Sequence, residues 1–67
     1  MKFDKSVSII VPAYNSEKTI EACLKNIIEN IKNLNSEVIV IDDNSIDKTF
    51  EKIKKIESVK AIKLKKK

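Results

Sequence analysis

Sixty-seven residues suffice for one small domain, which at this size buries only about 60% of the surface its unfolded chain exposes, and one cysteine with no histidine supplies no internal staple. The basic residues, all lysine, outnumber the acids by 14 to 10. Without arginine, and with only Phe3, Tyr14 and Phe50 as aromatics, this surplus lacks what nucleic-acid modules combine with charge, so the lysines crowded into positions 60–67 read as a solvated edge. No apolar run approaches the roughly 20 residues of a bilayer span, and residues 1–5 carry no signal-peptide pattern, which points to a cytoplasmic setting.

Residues 7–11, Val-Ser-Ile-Ile-Val, form a β-branched run bounded by Pro12 and predict a buried strand whose pairing stops at the proline. Ser16 is placed to cap a following helix with its hydroxyl, and Glu17 and Glu21 suit the dipole at that end. Ile20, Cys23, Leu24, Ile27, Ile28, Ile31 and Leu34 recur at steps of three and four, predicting one apolar face on a helix that runs to about Asn33. That spacing makes Cys23 a core residue. Asn33, Asn35 and Ser36 mark a turn.

Val38-Ile39-Val40-Ile41 is a second continuous apolar run, the pattern of a strand covered on both faces in a parallel sheet. A second helix is expected from Asp47 to about Glu57, with Phe50, Ile53 and Ile56 inward and Asp47 a candidate cap. Residues 59–64 alternate less clearly and predict a third strand. The order strand, helix, strand, helix, strand specifies an α/β fold: a βαβαβ unit with a parallel three-stranded sheet and helices packed on it. The first strand has no second neighbour in such a unit, and an open apolar edge favours self-association or an incomplete domain.

In open parallel sheets ligands bind beyond the carboxyl ends of the strands. The polar clusters at 12–16 and 42–45 both fall at those ends and should meet. They offer the carboxylates of Asp42 and Asp43, the aromatic face of Tyr14, and hydrogen-bonding groups on Asn15, Asn44 and Ser45. A carboxylate can accept the N–H groups of a nucleobase and an aromatic ring can stack on one, so this is a recognition set. With no histidine to activate Ser16 or Ser45, serine catalysis is excluded. The absence of glycine excludes both the P-loop and the dinucleotide fingerprint, and the acids lack the spacing of a calcium loop.

Two stretches combine at a specific separation: Val7-Ser8-Ile9-Ile10-Val11-Pro12-Ala13-Tyr14-Asn15, then, after an amphipathic helix, Val38-Ile39-Val40-Ile41-Asp42-Asp43-Asn44-Ser45-Ile46-Asp47-Lys48-Thr49. Together they resemble the opening of family 2 glycosyltransferases of the GT-A, Rossmann-like fold, a group that includes dolichol-phosphate mannose synthases. The resemblance covers residues 6–64. It implies that Pro12, Ala13, Tyr14 and Asp43 hold the base and ribose of a UDP- or GDP-sugar, that Asp42 supports the loop or reaches the ribose side, and that Glu17 is a further contact. It also implies a magnesium or manganese ion, an Asp-X-Asp metal motif and a catalytic base that these 67 residues do not contain, so the stretch is expected to be a single incomplete domain without turnover. Family members attach to membranes through later segments, which leaves the inner membrane face open as a location.

Two readings from other classes compete. The Asp42-Asp43 pair at a strand end also resembles the acidic strand of receiver-like signalling domains, although the Pro-Ala-Tyr-Asn segment then has no role and only 24 residues follow Asp43. A non-enzymatic module that associates through its open sheet edge is the other alternative.

Overall fold

The computed structural model of the chain describes residues 7–65. The two terminal segments discussed above, residues 1–5 and the last two lysines, lie outside it. Five elements follow in order: β1 (Val7–Ala13), α1 (Ile20–Ile31), β2 (Ser36–Asp42), α2 (Thr49–Lys54) and β3 (Val59–Lys63). The strands form one sheet in the order β1-β2-β3, parallel throughout. This is the expected βαβαβ unit.

Both crossovers step the same way across the sheet, and right-handed connections then put both helices on one face. The burial pattern agrees. Val38, Val40 and Asp42 alternate as the buried residues of β2, and with Ala13, Ile20, Leu24 and Ile53 the two valines make the core. Val11, Ile27, Ile31, Ile56, Val59 and Ala61 pack around it. In register with Val40 stand Val11 and Ala61, so all three strands turn the same parity toward the helices.

The opposite parity carries Ile10, Ile39, Ile41 and Ile62, and here the structure departs from expectation. The apolar run of β2 is covered on one face only by the described residues: Ile39 and Ile41 are half-buried, while Ile10 is 53% and Ile62 45% exposed. The run reads as doubly covered because period-two apolarity cannot report which side the helices take.

Pro12 does not end the first strand. Pairing continues through Pro12 opposite Ile41 and Ala13 opposite Asp42. The N–H and C=O of one strand residue point to the same side, and those of the next residue to the other. Ala13 points toward β2, since its carbonyl accepts the Asp43 N–H at 2.8 Å. Pro12 therefore turns its missing donor toward the open side of β1, the position where a sheet tolerates proline.

Four further expectations are corrected. Helix α1 begins at Ile20 rather than after Ser16: the Ser16 carbonyl accepts the N–H groups of Thr19 (3.0 Å) and Ile20 (2.8 Å), and its hydroxyl donates to the Tyr14 carbonyl instead of capping the helix. Cys23 is exposed. At about 100° per residue the stripe of Ile20, Leu24, Ile27 and Ile31 centres roughly 70° away from Cys23, so the thiol sits on the margin of the apolar face. Leu34 lies beyond the last helical turn and is exposed as well, its N–H closing a turn onto the Ile31 carbonyl. Helix α2 is shorter than its periodicity suggests at both ends: Asp47 engages Thr49 in a turn before it starts, and after Lys54 the Lys55 and Ile56 N–H groups turn onto the Lys52 and Ile53 carbonyls. None of the helices among the described residues is long and apolar enough to cross a membrane.

Candidate functional site

The parallel register delivers residues 14–19 and 43–48 to the same edge of the sheet. The ladder ends at the Ala13–Asp42 pair, which the Asp43 N–H to Ala13 carbonyl bond closes, so Tyr14 and Asp43 are the first residues beyond it on adjacent strands. Pro12, Tyr14 and Asp43 are all exposed at this edge.

Two asparagines shape the loops. Asn15 has φ 45° and Asn44 φ 59°, both in the left-handed region. In a chain without glycine, asparagine is the residue that takes this conformation at least cost. The turn at Asn44 brings the Ser45 N–H back onto Asp42 Oδ2 at 2.9 Å, and the Ser45 hydroxyl donates to Asp42 Oδ1. Asp42 is completely buried, and these two bonds satisfy its carboxylate where no water reaches. The Ser45 Oγ in turn accepts the Asn15 N–H at 2.8 Å, and Asn15 Oδ1 accepts the Ile46 N–H at 3.0 Å.

A second set of bonds ties the next residues together. Thr49 Oγ1 accepts the Ser16 N–H and donates to Asp47 Oδ1, which also accepts the Thr49 N–H at 2.9 Å. Asp47 Oδ2 accepts the Glu17 N–H at 3.3 Å. Glu17 reciprocates, its Oε1 accepting the Lys48 N–H at 3.0 Å while its carbonyl accepts Lys52 Nζ at 2.8 Å. Desolvation of the half-buried Asp47 carboxyl pushes its pKa up. The hydrogen bonds from the Thr49 hydroxyl and N–H and from the Glu17 N–H outweigh this and hold it below the ordinary carboxylate value.

These contacts sort the expected site residues. Tyr14, Asp43 and Pro12 share an exposed edge. Ala13 faces the core, and only its main chain belongs to the loop junction. Asp42 lies fully buried beneath the second loop, both its oxygens accepting from Ser45. Glu17 clips one loop to the other. Asn15 and Ser45, whose side chains read as groups offered to a ligand, are instead engaged between the loops, and the parts played by Asp47 and Thr49 in the clip were not foreseen. The legible signal was the coincidence of Asx, Ser and Thr residues at both strand ends in a glycine-free chain, the composition of turns closed by side chains.

The described residues contain no group of three or more metal-ligating side chains. No third ligating side chain stands with Asp42 or Asp47 among the described residues, so neither makes a divalent-ion site by itself. A shallow cleft of about 390 Å³ runs beside the clip, lined by Asn15, Ser16, Glu17, Lys18, Thr19 and Asp47. A smaller hollow, about 250 Å³, lies at the opposite end of the sheet below the end of α1, among Ile28, Ile31, Leu34 and Val38, remote from the exposed Tyr14 and Asp43.

The model of glycosyl transferase family 2 matches residues 8–67. The chain belongs to that family. A dolichol-phosphate mannosyltransferase of Pyrococcus furiosus is 36% identical over 58 residues, 87% of this chain and 16% of the relative. A UDP-N-acetylglucosamine–dolichyl-phosphate N-acetylglucosaminyltransferase of Methanococcus voltae is 42% identical over 55 residues, 81% of this chain and 20% of the relative. An uncharacterised glycosyltransferase of Mycoplasma genitalium is 46% identical over 52 residues, 76% of this chain and 18% of the relative. The chain thus spans a fifth or less of the length of each of these relatives. The three-stranded parallel sheet with its two helices is a partial Rossmann-like unit, consistent with the N-terminal region of the GT-A fold.

Proposed function

We propose that these residues form the donor-nucleotide portion of a family 2 glycosyltransferase, with Tyr14 stacking on the base and Asp43 accepting from base or ribose of a UDP- or GDP-sugar. The observation that carries this reading is the meeting of Tyr14 and Asp43, both exposed, at the carboxyl edge of a parallel sheet, where open α/β sheets take their ligands. Asp42 and Glu17 serve it indirectly, by holding the loops. Pro12 and the Ala13 main chain set the floor beneath Tyr14.

In this reading a magnesium or manganese ion would neutralise the donor diphosphate with the help of carboxylates other than Asp42 and Asp47, and these residues alone bind nucleotide weakly without turnover. The two relatives with named activities act on dolichol or dolichyl phosphates, as their names state. For the protein these residues serve we infer only transfer from a nucleotide sugar, on the cytoplasmic side. The exposed isoleucines opposite the helices favour, as a second reading, self-association of the chain through the open sheet.

One experiment addresses both. Amide shifts of the chain and of Asp43→Ala are followed during titration with UDP, GDP and CDP, and the same samples are sedimented over a dilution series. Shifts at Tyr14 and Asp43 with UDP or GDP, weakened in Asp43→Ala, are expected. Silence of both residues toward every nucleotide refutes the donor site, and a monomer at every concentration refutes self-association.

A further inference from the structure

Asn15 touches two consecutive residues of the other loop, one through its main chain and one through its side chain. Its N–H donates to Ser45 Oγ and its Oδ1 accepts from Ile46 N–H, across 30 and 31 residues of sequence. Directly before it stands Tyr14; two residues before Ser45 stands Asp43. The Ser45 hydroxyl is oriented in its turn, because its proton is directed to the buried Asp42 and its lone pair is left for Asn15. A continuous series of hydrogen bonds therefore runs from the fully buried carboxylate through Ser45 to the residue next to the exposed tyrosine.

We propose that Asn15 is a positioning residue: its side-chain bond from the Ile46 N–H, beside its main-chain bond to the Ser45–Asp42 pair, clamps the Tyr14 loop to the Asp43 loop and so holds the aperture that receives the nucleoside. This inference rests on the donor-nucleotide reading given above. The position demands two properties together, tolerance of φ 45° and a side-chain acceptor at the length of an Asx carbonyl. Glycine meets the first alone and alanine neither. Aspartate meets both, since its carboxylate oxygen can accept the Ile46 N–H.

The test compares Asn15→Asp, Asn15→Gly and Ser45→Ala with the unmodified chain. Tyr14 is the sole tyrosine and there is no tryptophan, so the tyrosine band in near-ultraviolet circular dichroism reports this corner of the molecule privately. Far-ultraviolet spectra verify folding. Asn15→Asp is expected to keep the tyrosine band and to bind UDP or GDP within about threefold of the unmodified chain, whereas Asn15→Gly loses most of the band and about tenfold in affinity, the effect of one hydrogen bond removed. Ser45→Ala, which leaves the Asn15 side chain in place but removes the acceptor of its N–H and a donor to the buried Asp42, should show a loss at least as large, and it decides the matter if Asn15→Gly does not fold.

A glycine variant with an unchanged tyrosine band, or an aspartate variant as impaired as the glycine one, overturns the inference. If the unmodified chain binds no nucleotide, the donor-site reading fails. The tyrosine band then still tests the clamp, so the two failures are separable.

Discussion

Replacing Asp42 by asparagine probes the junction on which the site is built. Asp42 has no exposure and accepts from both the Ser45 N–H and the Ser45 hydroxyl. Asparagine matches its shape but can keep only one acceptor facing Ser45, and its NH₂ group turns toward an oxygen already accepting from Asn15. One charge-assisted hydrogen bond is lost, about 1.5–3 kcal/mol, and relief from burying a charge offsets part of that, so we expect a net loss near 2 kcal/mol. A chain of this length has roughly 3–10 kcal/mol of total stability. At about 4–8 °C per kcal/mol for a small domain, the melting temperature should fall by roughly 8–16 °C.

The assay is thermal and urea unfolding followed by far-ultraviolet circular dichroism, on Asp42→Asn, Ser45→Ala and the double variant. Because the two residues share a bond, their costs should fall short of additivity by about 1 kcal/mol. A melting temperature within about 2 °C of the unmodified chain, or strictly additive costs, refutes the account of Asp42 as the anchor of the second loop.

Two further outcomes follow from particular side chains. The Asp47 pKa is depressed in the folded chain, so the unfolded chain takes up the proton first as pH falls. Its contribution is fully present above the ordinary aspartate value of about 3.9 and is lost as pH drops through the lower folded value. Asp47→Asn should therefore melt below the unmodified chain at neutral pH, with the gap closing in acid, and a gap independent of pH contradicts the hydrogen-bond origin. Exposed Cys23 should react with a thiol reagent in the folded chain within about threefold of its rate in urea; strong protection would return it to the core.

The alternation of strands and helices was legible because each element announces itself over a few adjacent residues. Val7–Ala13 and Ser36–Asp42 are apolar runs of β-branched residues, and Ile20, Leu24, Ile27 and Ile31 keep one helical face. Parallel connectivity then requires the carboxyl ends of the strands to lie on one edge, so the meeting of the Tyr14 and Asp43 loops could be inferred before any coordinates. The receiver-like alternative loses its ground once the family match extends across the Pro-Ala-Tyr-Asn segment as well as the acidic pair.

Periodicity determined the order of elements, and parallel connectivity then the edge where ligand-facing residues gather, because these depend on patterns among neighbours two to four positions apart. Tertiary structure alone decided which polar groups at that edge remain exposed. Asn15, Glu17 and Ser16 find their partners some 30 residues away, at Ser45, Ile46, Lys48 and Thr49. A hydrogen bond across that separation leaves no repeat in the sequence, so only the assembled sheet distinguishes the side chains that close the loops from Tyr14 and Asp43, which stay at the surface.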